Sequence, residues 1–154
     1  MRTLTDKEQA EISHRQADFD NFLDERMPVL CDFIQQLGLP DAPLVLSEAD
    51  RFMPPIDRWL TDQVVTSDDR TWILTRLGYF IGEYLVQRYA GHWFLNKIPD
   101  SRFFGRYVVG QFVKVTNQNA MVDPFAVADA YLLEPPGRSL SRVLGDVDND
   151  LSRA

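Results

Sequence analysis

Ser67-Asp-Asp-Arg-Thr-Trp-Ile-Leu-Thr-Arg-Leu-Gly-Tyr-Phe-Ile-Gly-Glu-Tyr-Leu-Val-Gln-Arg-Tyr-Ala90 is the stretch whose reading decides the fold. Ser67 followed by Asp68 and Asp69 is a helix start: a capping residue, then two acids set against the positive end of the helix dipole. Ile73, Leu77, Phe80, Ile81, Tyr84, Leu85 and Arg88 recur at helical spacing, which predicts one broad buried face running to about Ala90, with Gly91 as the stop. Gly78 and Gly82 lie about one turn apart on one side of that helix. A mid-helix glycine costs about 1 kcal/mol relative to alanine, so a pair at this spacing predicts that another stretch of backbone packs closely there.

Upstream, Thr5 and Glu8 have capping-box spacing, and Ile12, Phe19, Leu23, Leu30, Ile34 and Leu37 continue as one helical face. Pro28 removes a backbone donor, so a kink or break is expected near Arg26; Gly38 and Pro40 close the segment. Ser47-Glu-Ala-Asp50 suits the cap of a short helix, and Pro54-Pro55 starts another carrying Ile56, Trp59, Leu60 and Val64.

Downstream, the character changes. His92 to Ile98 and Tyr107 to Val115 are rich in aromatic and β-branched residues and read as an antiparallel pair, with Gly110 as a candidate bulge and a third short strand near Asn119 to Val122. Asp123-Pro124 caps a helix to about Glu134, Pro135-Pro136-Gly137 stops it, and a last helix from about Ser139 buries Leu140, Leu144, Val147 and Leu151, its polar tail from Asp146 expected to fray. The pattern predicts a mainly helical α+β fold, with a small antiparallel β-sheet of two or three strands packed against the helices. No repeat or long linker divides residues 1–154, so one domain is expected.

Charge and composition narrow the function. The 154 residues carry 16 basic against 23 acidic side chains, a formal net charge of −7. Nucleic-acid binding calls for a basic patch that releases counterions, and none is present. No segment approaches the ~18 apolar residues of a membrane span. Met1 to Ala10 lacks the apolar core of a secretory signal, and Cys31, the only cysteine, permits no internal disulfide, so a cytoplasmic location is expected.

The chemistry-bearing residues form no known motif. His14 and His92 are far apart, and no zinc, calcium, phosphate-loop or nucleophile-elbow spacing occurs, so no metal, cofactor or catalytic residue is assigned. Cys31 sits between apolar neighbours and reads as a buried, inert thiol. Glu83 follows Gly82 in the most apolar helix, with Arg76 and Arg88 as sequence neighbours; a structural ion pair or a helix-surface position is its plainest reading, a catalytic acid the alternative. Trp93, Phe94, Phe103, Phe104, Tyr107 and Phe112 crowd one region. Phe103 and Phe104 cannot both be buried by alternation, which makes one of them, beside Arg102 and Arg106, a candidate interface anchor.

Leu77-Gly-Tyr-Phe-Ile-Gly-Glu83, Gly91-His-Trp93 and Val122-Asp-Pro-Phe125 together resemble small bacterial domains of unknown function encoded near polymorphic or contractile-system toxins, some of which act as immunity proteins. The likeness covers roughly residues 72–133 and brings no catalytic residues with it. It implies a protein that binds and neutralises a cognate toxin, and the acidic balance suits a basic toxin domain as the protein partner. Asp20, Asp24, Asp57, Asp68 and Asp69 on helices, with Phe103 and Phe104, are the candidate contact residues. A structural or homo-oligomeric subunit is the alternative, and a small carboxylate-dependent enzyme a further one.

Overall fold

Among residues 2–153, which the computed structural model describes, α1 spans Asp6–Gln36, α2 Met53–Thr61, α3 Ser67–Tyr89, α4 Pro124–Leu133 and α5 Leu140–Arg153. Two short 3₁₀ turns, Ala42–Leu46 and Ala49–Phe52, connect α1 to α2. Strands β1 (His92–Leu95), β2 (Tyr107–Gly110) and β3 (Met121–Val122) form one antiparallel sheet in the order β1-β2-β3. Trp93 faces Val109 and Leu95 faces Tyr107 across the first pair, and Val109 faces Val122 across the second. This is the mainly helical α+β architecture that the pattern predicts. No helix among the described residues is long and apolar enough to cross a membrane.

The decisive helix is the central element. From Leu77 to Leu85 every residue of α3 is buried, and α1, α4, the sheet and the 3₁₀ turns pack around it. Its cap is Thr66 rather than Ser67: the Asp69 amide donates to the Thr66 hydroxyl at 3.3 Å. Ala90 in the left-handed conformation ends it, one residue before the glycine expected to do so.

The glycine pair works differently from the expectation. A Cβ built on Gly78 would fall inside the Phe125 ring, and one on Gly82 inside the Trp93 indole. Aromatic side chains, not a second backbone, occupy the space the glycines leave.

Pro28 does not break α1, which runs unbroken for 31 residues from its Thr5–Glu8 capping box. Asp24 and Pro28 are both exposed, so the carbonyl that loses its donor lies on the solvent side, where water can bond to it.

Both longer strands are shorter than their apolar runs. The Asn96 side chain closes a loop instead of extending β1, donating to the Ser101 hydroxyl at 3.0 Å and accepting from the Ile98 amide at 3.2 Å. Gly110 pairs with both neighbouring strands rather than bulging, and the chain leaves the sheet at Gln111, whose φ is +53°. The polar tail does not fray within the described residues: α5 continues to Arg153 with Leu144 and Leu151 buried.

Candidate binding surfaces

The seven candidate contact residues fall in four places. Asp20 and Asp24 are exposed about one turn apart on α1 and pair with no described residue. Asp57 is only half exposed, and its carboxylate is occupied. It accepts from the Leu140 amide at 2.7 Å and the Ser141 amide at 3.4 Å, capping α5 from α2, and the Tyr131 hydroxyl donates to it at 3.4 Å.

Phe103 and Phe104 are both half-buried, against the expectation that one of them is exposed. The loop between β1 and β2 turns sharply, with the Phe104 amide on the Ser101 carbonyl and Gly105 at φ +73°. That turn sends Phe104 to the core and Phe103 into a shallow hollow beside Val147 and Leu151, under the Arg102 guanidinium at 4.5 Å.

Asp68 and Asp69 are exposed in the first turn of α3 and line a groove of about 510 Å³ between the end of α1, the α2–α3 loop and α3. Trp59 and Trp72 are half-buried in its walls, edge-on to Phe33 at 6.1 and 5.9 Å, and Val64 stands 75% exposed at its rim. The only charged residues in its lining are these two aspartates, and neither has a basic partner among the described residues. Asp69 also accepts from the Thr66 hydroxyl at 3.1 Å, which fixes the turn that carries both acids.

A second, larger cleft of about 600 Å³ opens where α1, α3, β2 and α4 meet. Phe22 is at the centre of its floor, with ring centroids 4.5 Å from Tyr107, 4.9 Å from Tyr79, 5.0 Å from Trp93 and 6.0 Å from Phe125. The two tyrosine hydroxyls face away from chemistry: Tyr79 donates to the Phe22 carbonyl at 2.8 Å and Tyr107 to the Arg15 carbonyl at 2.7 Å. Burial, reinforced by the Glu25 carboxylate, pushes the Tyr79 phenol up to about 12. Asp123 and Asp129 in the walls are paired with Arg106 (2.9 Å) and Arg70 respectively. Asp123 also caps α4 through the Phe125 and Ala126 amides at 3.0 and 3.2 Å.

Glu83, 3% exposed, is joined to the cleft floor through Trp93, whose ring packs on Phe22 at 5.0 Å. Its partner is neither Arg76 nor Arg88. Arg26 of α1 donates to Glu83 Oε1 at 3.0 Å and the Trp93 indole N–H donates to the same oxygen at 3.1 Å. Arg76 instead lies over Trp72 at 4.1 Å, and Arg88 pairs with Asp148 at 3.3 Å. A buried carboxylate between a guanidinium and an indole is a structural ion pair, one of the two plain readings of Glu83. Cys31 is half-buried against the core rather than enclosed by it.

The larger cleft has no counterpart among the sequence expectations. Its floor is assembled by Phe22, Tyr79 and Phe125 from three different helices, whose meeting no local signal in the sequence announces. No family model, curated protein or solved structure matches this chain.

Proposed function

We propose that this chain is a protein-binding module whose docking surface is the groove between Trp59 and Trp72, and that its partner presents an apolar side chain flanked by lysine or arginine. One observation carries the proposal: two half-exposed tryptophans and the exposed Val64 border a concavity whose only charges among the described residues, Asp68 and Asp69, have no basic partner among those residues. Tryptophan is enriched at binding hot spots because it offers a large rigid contact area, and unneutralised acids at the rim steer a basic partner into register. Binding is favoured over turnover because the tyrosines of the larger cleft donate to backbone carbonyls and Glu83 is enclosed by Arg26 and Trp93.

Carrying forward the resemblance in residues 72–133, the partner is a basic toxin domain and the chain its immunity protein. Salt-dependent capture from the native host's lysate tests this when the wild-type chain is run beside Val64→Asp, Asp68→Lys and a control, Asp20→Lys. A stoichiometric basic protein that is released at high salt, lost with the first two variants and kept by the control is the expected result. Capture indifferent to Val64 and Asp68 would overturn the surface. Sedimentation that shows a dimer dissolved by Val64→Asp would replace the partner with a second copy of this chain.

A further inference from the structure

The larger cleft is separate from the tryptophan groove, and its open valences have the opposite sign. The geometry points to a binding site for a small aromatic carboxylate, its ring against Phe22 and Phe125 and its carboxylate taken by Arg15 and Arg106. This goes beyond the protein-binding reading and does not depend on it.

Arg15 lies over the Tyr107 ring at 5.1 Å and pairs with no carboxylate among the described residues. Arg106 engages Asp123 through Nη1 alone and keeps half of its side chain exposed. A guanidinium offers five N–H donors in a planar fork that matches a carboxylate, so both arginines retain donors for a ligand. The acids of the same cleft are mostly engaged: Asp123 by Arg106 and two amides, Asp129 by Arg70. Asp18 alone is exposed there with no basic partner among the described residues, accepting only from the Asn21 side-chain amide at 3.4 Å.

The floor supplies the second half of the site. Phe22 and Phe125 are half-buried, so part of each ring faces the cleft, and Tyr79 behind them fixes both at centroid distances of 4.9 and 5.7 Å. Gly78 lets Phe125 lie down on the α3 backbone, which keeps the cleft open above it. The volume of about 600 Å³ falls within the ~300–1,000 Å³ of small-molecule sites. A free cation would meet two guanidinium groups with open donors, and a phosphate dianion would meet the unneutralised Asp18 carboxylate and leave the aromatic floor uncovered. A singly charged carboxylate on an aromatic ring suits both the charge and the floor.

The test titrates the isotopically labelled chain with 3-phenylpropionate, phenethylamine and inorganic phosphate in parallel, read by amide chemical shifts. Saturable shifts confined to residues around Arg15–Phe22 and Phe125 are expected with 3-phenylpropionate only. Arg15→Gln weakens that binding about tenfold without lowering the melting temperature, and Arg106→Lys, which keeps the charge on Asp123, weakens it too. Should Arg106→Lys unfold, Arg15→Gln still decides. Saturation by phenethylamine instead would make this an acid-rimmed cation site, saturation by phosphate alone a simple anion site, and saturation by none of the three no ligand site; each overturns the assignment.

Discussion

The cleft under Arg15 and the groove under Val64 are built from similar parts and finished in opposite ways. Each has an aromatic lining and two or three aspartates. In the cleft, arginines neutralise Asp123 and Asp129, and the tyrosine hydroxyls are tied to carbonyls. In the groove, Asp68 and Asp69 have no cationic partner among the described residues and the tryptophans are half exposed. A net charge of −7 spread over the chain predicts a basic partner for any face. Which carboxylates are already paired decides where that prediction applies.

The three tryptophans make the comparison measurable, because Trp59 and Trp72 line the groove while Trp93 lies under the cleft. The largest expected effect is at Glu83. Glu83→Ala removes the acceptor shared by Arg26 and Trp93 and leaves a partly buried guanidinium unpaired. A loss of about 3 kcal/mol is expected in urea unfolding. The Trp93 indole N–H resonance moves in the folded variant, while those of Trp59 and Trp72 stay in place. Equal movement of all three would mean that the two regions are one mechanical unit and would erase the contrast.

The fold was legible wherever a local signal coincided with the tertiary outcome. Thr5 with Glu8, Ser67 with Asp68 and Asp69 (one residue past the true cap, Thr66), and Asp123-Pro124 each announce a helix start through backbone donors that a nearby side chain must satisfy. The sites were not legible, because their partners are distant in sequence. Asp57 reads as a free surface acid until the Leu140 amide arrives to be capped. Phe22 lies just off the stripe of Ile12, Phe19, Leu23 and Leu30, and only the sheet and α4 make it the centre of a cluster. Arg138 gave no signal at all. It is buried and donates to the carbonyls of Leu60 (2.7 Å), Gln63 (2.9 Å) and Glu134 (2.7 Å), closing the ends of α2 and α4 with one side chain.

A second expected effect uses pH to load the cleft floor. The Tyr79 phenol is pushed up to about 12 in the folded chain, by burial first, whereas an unfolded tyrosine ionises near ~10. Its neutral form therefore contributes stability that is fully present below about pH 10 and is lost as pH rises toward 12. The loss across that window is expected to reach about 2 kcal/mol. Tyr84, pushed up to about 12 by burial, loses stability over the same window, so the comparison is made against Tyr79→Phe. That variant should be flatter in urea unfolding between these pH values. An unchanged slope would place Tyr79 in contact with water and dissolve the closed floor described for the cleft.

The smallest effect separates the two concavities most cleanly. In Gly78→Ala the new methyl group gains about 1 kcal/mol of helix propensity, but it lands inside the Phe125 ring. Overpacking of a filled site costs about 1–3 kcal/mol, so a net loss of about 1 kcal/mol is expected. Phe125 can relieve the overlap only by lifting away from α3, because Tyr79, Trp93 and Phe22 surround its other sides. Lifting it fills the cleft from below. The variant should lose affinity for an aromatic carboxylate while keeping any partner captured through Val64 and Asp68, since neither Trp59 nor Trp72 touches Gly78 closely enough to move. A stabilised variant with the cleft still open would mean that the ring slides sideways. The glycine would then be a tolerated cost of the helix, and the seat it forms for Phe125 would have no part in shaping the cleft.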